Sequence, residues 1–309
     1  MPVEIKEVEY ENYGKCVLIT NGIIEAYVTI DVGPRIIRFG FVEGPNLLFT
    51  DLERKCIFSN ELIDDYYGKG KTFYLYGGHR LWISPESMPE TYYPDNRPVM
   101  YSILPDGVRF TPPQQEENEL QLSIEIIMNA DANDIMIVHT AQNLSREARR
   151  FSLWGITQLG QGGLEIFPQN DADTGLLPNR LNVLWPYSKR SDPRFFFGDR
   201  FITLRQDPGN SDAFKIGTNN FAGWAAYVND GCVFVKRYVH DHDHVYPDYG
   251  ASFETYTNEN FLEMETLSPL YEVDTKETVR HVENWSLFRA PEAPVADDEA
   301  ALQAFMEQL

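Results

Sequence analysis

The chain is short of cysteine, of positive charge and of long apolar runs. Its three cysteines, Cys16, Cys56 and Cys232, are odd in number and far apart. That argues against a disulfide framework and makes a reduced, cytoplasmic setting the expectation. No apolar stretch approaches the roughly 20 residues of a membrane-crossing helix. The opening MPVEIKEVEYENYGK has no basic segment followed by an apolar one, so no secretory leader is expected. Lysine and arginine number 26 against 47 aspartates and glutamates, a net charge of −21. So acidic a chain repels nucleic acid and anionic membranes, and neither is expected as a partner. P-loop and Rossmann glycine patterns are missing, as is a recognisable Ser-His-Asp motif.

Aromatic residues and period-two segments fill the space these absences leave. The 17 tyrosines, 19 phenylalanines and 5 tryptophans suit strands and ligand-stacking clefts. In ELQLSIEIIM, Leu120, Leu122, Ile124, Ile126 and Met128 fall on one face, which predicts a half-buried antiparallel strand. DIMIVHTAQN follows a short turn and predicts its hairpin partner. Further strands are expected at CVLIT, IIEAYVTI, PRIIRFGF, GVRFT, RRFSLWGITQL, FITLRQ, GWAAYVN, GCVFVKRYV, ASFETYT and VRHVENWSLF. Asn229-Asp230-Gly231 is a hairpin-turn signal between two of them. Helix is scarce: ELIDDYYG is one short piece. The C-terminal DDEAALQAFMEQL places Leu302, Phe305, Met306 and Leu309 on one stripe, with Asp297 or Asp298 as cap. The expectation is one all-β domain over residues 1–290, with a connector and a helix over 291–309 packed on it. The irregular stretches Ser84–Pro98 and Gly160–Asp199 are the long loops expected to carry function.

Three segments and two lysines carry chemistry. In NFLEMETLSP, Glu263 and Glu265 share one strand face opposite Leu262 and Met264. Paired same-face carboxylates repel, which lifts one toward the range of a useful acid or base; a solvated strand face is the plainer alternative. In YGGHRLWISPE, two glycines permit a tight turn or close backbone approach. His79 offers a general acid, Arg80 a clamp, Trp82 a stacking surface and Glu86 an acceptor. YVHDHDHVYPDYG puts His240, His242 and His244 on one face if the strand continues, a zinc or nickel pattern that lacks a confirming fourth ligand. Lys215 and Lys236 are the cations expected near the ligand.

Together YGGHRLWISPE, LWGITQLGQGG, FKIG and FETYTNENFLEMETLSPL resemble a branch of the galactose mutarotase-like superfamily whose activity is unassigned. The superfamily is related to aldose 1-epimerases and to the supersandwich domains of carbohydrate-active enzymes. The resemblance runs from about Gly33 to Trp285. It implies an all-β supersandwich of two large antiparallel sheets whose concave face binds sugar. It puts Glu263 in the position of the base that acts on the anomeric hydroxyl, with Glu265 where a glutamine is usual. Arg35 corresponds to an arginine near the sugar-binding face. The histidine that serves as acid in mutarotases would fall in SLWGITQL, where Thr157 and Gln158 stand instead. His79 is the best replacement acid. Arg80, Trp82, Glu86, Lys215 and Glu254 complete the expected substrate-binding set. Lysines in such a cleft would favour a phosphorylated or carboxylated sugar.

Two functions follow from the resemblance. One is an epimerase-type enzyme acting on a sugar or sugar derivative, with no metal or organic cofactor. The other is a sugar-binding or sensing protein that lost the acid. An accessory domain of a lyase or hydrolase is a weaker third, since the chain shows no second catalytic domain. Self-association into a homo-oligomer is left open.

Overall fold

The structure, a computed structural model, describes residues 2–290 and 292–309. Nearly all regular structure is antiparallel β. The first sheet runs in the spatial order Glu4–Glu9, Lys15–Thr20, Ile24–Thr29, Ile36–Phe41, His79–Ser84, Arg149–Leu159, Leu262–Leu267, Phe253–Thr257, Phe214–Thr218, Asn182–Leu184. The second runs Phe195–Phe197, Phe201–Arg205, Leu164–Pro168, Trp224–Asn229, Cys232–Tyr238, Thr278–Arg289, Asp134–Asn143, Leu120–Met128, Gly107–Thr111, Met100–Leu104. The two sheets face each other across one large apolar core that includes Phe39, Phe110, Phe234, Leu262, Met264 and Trp285. The expected all-β supersandwich is therefore the architecture seen.

Period two decides most of these strands. Leu120–Met128 alternates buried and half-buried residues along its whole length, and so does its partner Asp134–Asn143. The Asn229-Asp230-Gly231 turn closes the hairpin of Trp224–Asn229 with Cys232–Tyr238, with Asp230 and Gly231 at positive φ as such a turn requires.

YGGHRLWISPE is more than the tight turn expected. Tyr76, Gly77 and Gly78 all have positive φ, and the chain then enters a central strand at His79. A Cβ on Gly78 would sit 2.1 Å from the Ile36 carbonyl oxygen, so only glycine lets these backbones meet. Leu164–Pro168, inside the stretch expected to be loop, is also a strand. Both of its faces are covered: Phe167 packs the core beside the buried Glu165, and Leu164 and Ile166 lie under the C-terminal helix.

That helix, Glu299–Met306, starts where Asp298 accepts hydrogen bonds from the Ala300 and Ala301 amides. Leu302 is buried against Leu164, Ile166, Val233 and Val235, with Phe305, Met306 and Leu309 beside it. Among the described residues, no helix is long and apolar enough to cross a membrane.

Candidate functional site

On the outer face of the first sheet, five neighbouring strands align their side chains into two rungs. One rung runs Gln158, Glu263, Tyr256, Lys215. The other runs Arg80, Ile156, Glu265, Glu254, Gly217. Antiparallel register sets such neighbours side by side, within reach of one another. Neither glutamate of NFLEMETLSP is on a wet surface: Glu263, 9% exposed, lies in the floor of a cleft, and Glu265 is fully buried behind it.

The cleft has a volume of about 510 Å³. Trp82 and Trp154 continue its floor, edge to face at 5.7 Å. The two stretches expected to bear function supply two of its walls, Glu86 and Tyr92 from one and Trp185 and Tyr187 from the other, and Lys55, Cys56, Ile57 and Phe58 supply a third.

In each of the two carboxylates a single oxygen takes the hydrogen bonds. Glu263 Oε1 accepts from Arg80 Nη2 at 3.2 Å and from Gln158 Nε2 at 3.0 Å. Its Oε2 accepts no hydrogen bond from the described residues and is left to the cleft. Glu265 Oε2 accepts from Trp154 Nε1 and Lys215 Nζ, both at 2.8 Å. Lys215 also pairs with Glu254 at 2.8 Å and sits between the Trp154 and Trp185 rings. Arg80 stacks on Trp82 at 4.2 Å, and its Nε and Nη1 donate to nothing among the described residues. Gln158 Oε1, Glu254 Oε1 and Glu265 Oε1 are buried without a partner as well. Buried polar atoms are normally satisfied, so such a concentration in one cleft marks a place for polar ligand atoms or water.

Charge explains the acid–base character. Arg80 and Lys215 supply two positive charges against the carboxyls of Glu254, Glu263 and Glu265, so the full set of carboxylates would carry an uncompensated buried charge. Burial lifts the Glu263 carboxyl to about 7, against the pull of Arg80 and with the push of Glu265. Burial lifts Glu254 well above the carboxylate range too, with Lys215 opposing and Glu265 adding. Burial works against the Lys215 charge, but Glu254 and Glu265 outweigh it and keep the ammonium protonated.

No protein-family model matches the chain, and no curated protein matches it. Solved structures do. A TPR-domain containing protein from Parabacteroides distasonis ATCC 8503 superposes with TM-score 0.60 at 13% identity over 90% of this chain, which spans about half (48%) of that one. A galactose mutarotase-like protein from Lactobacillus casei ATCC 334 superposes with TM-score 0.56 at 10% identity, covering 88% of this chain and 100% of that one. A galactose mutarotase-like protein from Clostridium acetobutylicum gives 0.51 at 13% identity, covering 93% and 99%. The chain has the galactose mutarotase-like fold.

Within this mutarotase-like sandwich the structure unites Glu263, Arg80, Trp82, Glu86 and Lys215 in one cleft, with Glu254 in its continuation. It does not bring His79 to them. His79 leads the strand whose next residue is Arg80, so the two side chains take opposite faces, and His79 points into the core. There its ring is fully engaged. His139 Nδ1 donates to the His281 carbonyl, so its Nε2 must accept, from His79 Nε2 at 2.7 Å. His79 Nδ1 then accepts from the Thr157 hydroxyl at 2.8 Å. Burial holds both imidazoles below their ordinary range, neutral. His79 is a structural core histidine, and the expectation of a replacement acid fails on the parity of the strand.

Arg35 is also outside the cleft. It forks onto Asp95, with contacts of 2.5 and 3.2 Å, and anchors the Asp95 loop instead. Lys236 is in the core and pairs with Glu283 at 3.1 Å. Neither expected lysine is thus free to meet an anionic group: Lys215 is spent on two carboxylates and Lys236 faces inward.

The metal alternative fails because the strand ends at Tyr238 and the histidines lie in a loop. His240 bonds the Ser252 hydroxyl at 2.8 Å and stacks on Tyr246, and His244 pairs with Asp241. Their donor nitrogens do not converge. Donor atoms do converge at His79, His139 and Glu283, within 4.8 Å. Those atoms are already committed: the histidines to each other, and Glu283 to Lys236, Thr266 and Trp285. The group is a hydrogen-bonded core, not a ligand set.

Sequence reasoning missed Trp154, Gln158 and Tyr256. Each shares the parity of a residue already singled out or lies directly opposite one, so strand register was the available signal. Trp185 and Tyr187 had no such signal beyond their position in a long loop.

Proposed function

We propose that the cleft binds a carbohydrate and that Glu263 is the base of an epimerase-type proton transfer. Glu263 Oε2 takes the proton of the anomeric hydroxyl. The bond from the anomeric carbon to the ring oxygen breaks, the aldehyde forms, and the ring oxygen gains a proton. Reclosure on the other face reverses these steps and returns both protons. The donor in this scheme is Glu254, whose carboxyl burial raises well above its ordinary value and which lies diagonally across the register from Glu263. A pair of carboxyls whose environments tune them for opposite roles is a recurrent acid–base device. Arg80 and Gln158 orient the base, and Trp82 and Trp154 offer faces for a sugar ring.

One observation carries the reading: unsatisfied buried polar atoms cluster around a carboxylate poised near neutrality, in an aromatic cleft. NMR exchange spectroscopy of anomer interconversion across neutral aldoses tests it. The expected result is exchange faster than in buffer for at least one aldose.

The second reading is a sugar-binding protein without turnover. Gln158, beside Glu263 where mutarotases would have an acid, favours it, because an amide has no proton to give at neutral pH. Sugars that raise the melting temperature while no anomer exchange is accelerated would decide for binding alone.

A further inference from the structure

The cleft does not end at the site around Glu263. A second space of about 390 Å³ continues it, walled by Met88, Asp248 and Glu254. The two spaces share Glu86, Tyr92, Trp154, Trp185 and Lys215 as common walls. The first space alone falls within the roughly 300–1,000 Å³ that encloses a drug-sized ligand. A single sugar ring is much smaller, so it would leave most of the groove to water.

We propose that the groove takes an uncharged carbohydrate chain of two or more rings, its reducing end at Glu263 and its next ring beside Trp185. This rests on the carbohydrate reading above. Aromatic faces stand at both stations: Trp82 at the first, Trp185 between the first and second. Trp185 lies on the segment after the edge strand Asn182–Leu184 and is only half-buried, so its outer face is open to a ring. The charge of the groove selects against anions. Its cations Lys55, Arg80 and Lys215 are each paired with a carboxylate, while Glu86 and Asp248 add negative charge to the rim. A chain that leaves its anomeric carbon at Glu263 must extend away from that carbon, and the second space is where the groove continues.

Isothermal titration of the full chain with D-glucose, maltose and maltotriose, and with D-glucose, cellobiose and cellotriose, tests the inference. In at least one series the disaccharide should bind tenfold or more tightly than the monosaccharide. Trp185→Ala should bring that ratio close to one, while Trp185→Phe keeps it. Monosaccharides that bind as tightly as the chains would overturn the inference and leave the proposed proton transfer standing. A length effect that survives Trp185→Ala would overturn the placement of the second ring. If no sugar of any length binds, the carbohydrate reading itself falls and takes this inference with it.

Discussion

Glu263→Gln should slow anomer exchange by about 10²- to 10⁴-fold, the range expected for loss of a positioned general base. The fold should survive. With its carboxyl lifted to about 7, the side chain is already close to half protonated at neutral pH, and the amide imitates that neutral form. The glutamine oxygen can still accept from Arg80 and Gln158, as Glu263 Oε1 does. Circular dichroism should therefore match the wild type while NMR exchange spectroscopy records the loss. Exchange as fast as wild type would remove Glu263 from the mechanism.

Glu283→Ala should destabilise the protein by about 3–5 kcal/mol, the cost of removing one partner of a buried ion pair. Glu283 and Lys236 are both fully buried between the sheets. Burial would raise the Glu283 carboxyl, but the Lys236 ammonium outweighs it and holds it well below its ordinary range. Glu283 also accepts from Thr266 of the facing sheet and from Trp285 Nε1. Lys236 in turn donates to the Met264 carbonyl at 2.9 Å, so the pair ties the second sheet to the first beneath the cleft floor. Alanine would strand an ammonium in the core. Urea denaturation of Glu283→Ala, and of Glu283→Leu with Lys236→Met, measures this. The double variant should recover much of the loss, because an apolar pair of similar volume replaces a buried ion pair at little cost. A loss below about 1 kcal/mol in the single variant would show that the pair is weakly coupled to the fold.

The fold was legible where strands are half-buried, as in Leu120–Met128, because one face must alternate with the other. It was less legible where both faces are covered. Leu164–Pro168 lies between the core and a helix, and its one charged residue, Glu165, is fully buried, so no solvent-facing side marks it as a strand. The same contrast runs through the site. Arg80, Trp82, Glu263 and Lys215 were legible as a group. The parity that separates His79 from Arg80 was available too, but the two stand side by side at the end of a glycine turn, where the start of the strand is uncertain. The polar core of His79, His139, His281, Lys236 and Glu283 was illegible because it joins residues up to 204 positions apart, across both sheets.

The most direct test of the account is the ionisation of Glu263 itself. Carbon-13 NMR of carboxyl-labelled glutamate, with Glu263→Gln to assign the signal, follows it in the intact protein. The account predicts a midpoint near 7, so that the base is charged above that pH and lost as pH falls through it, and a displacement of the midpoint when a bound sugar is added. A midpoint near the ordinary 4.5, unmoved by any sugar, would contradict it.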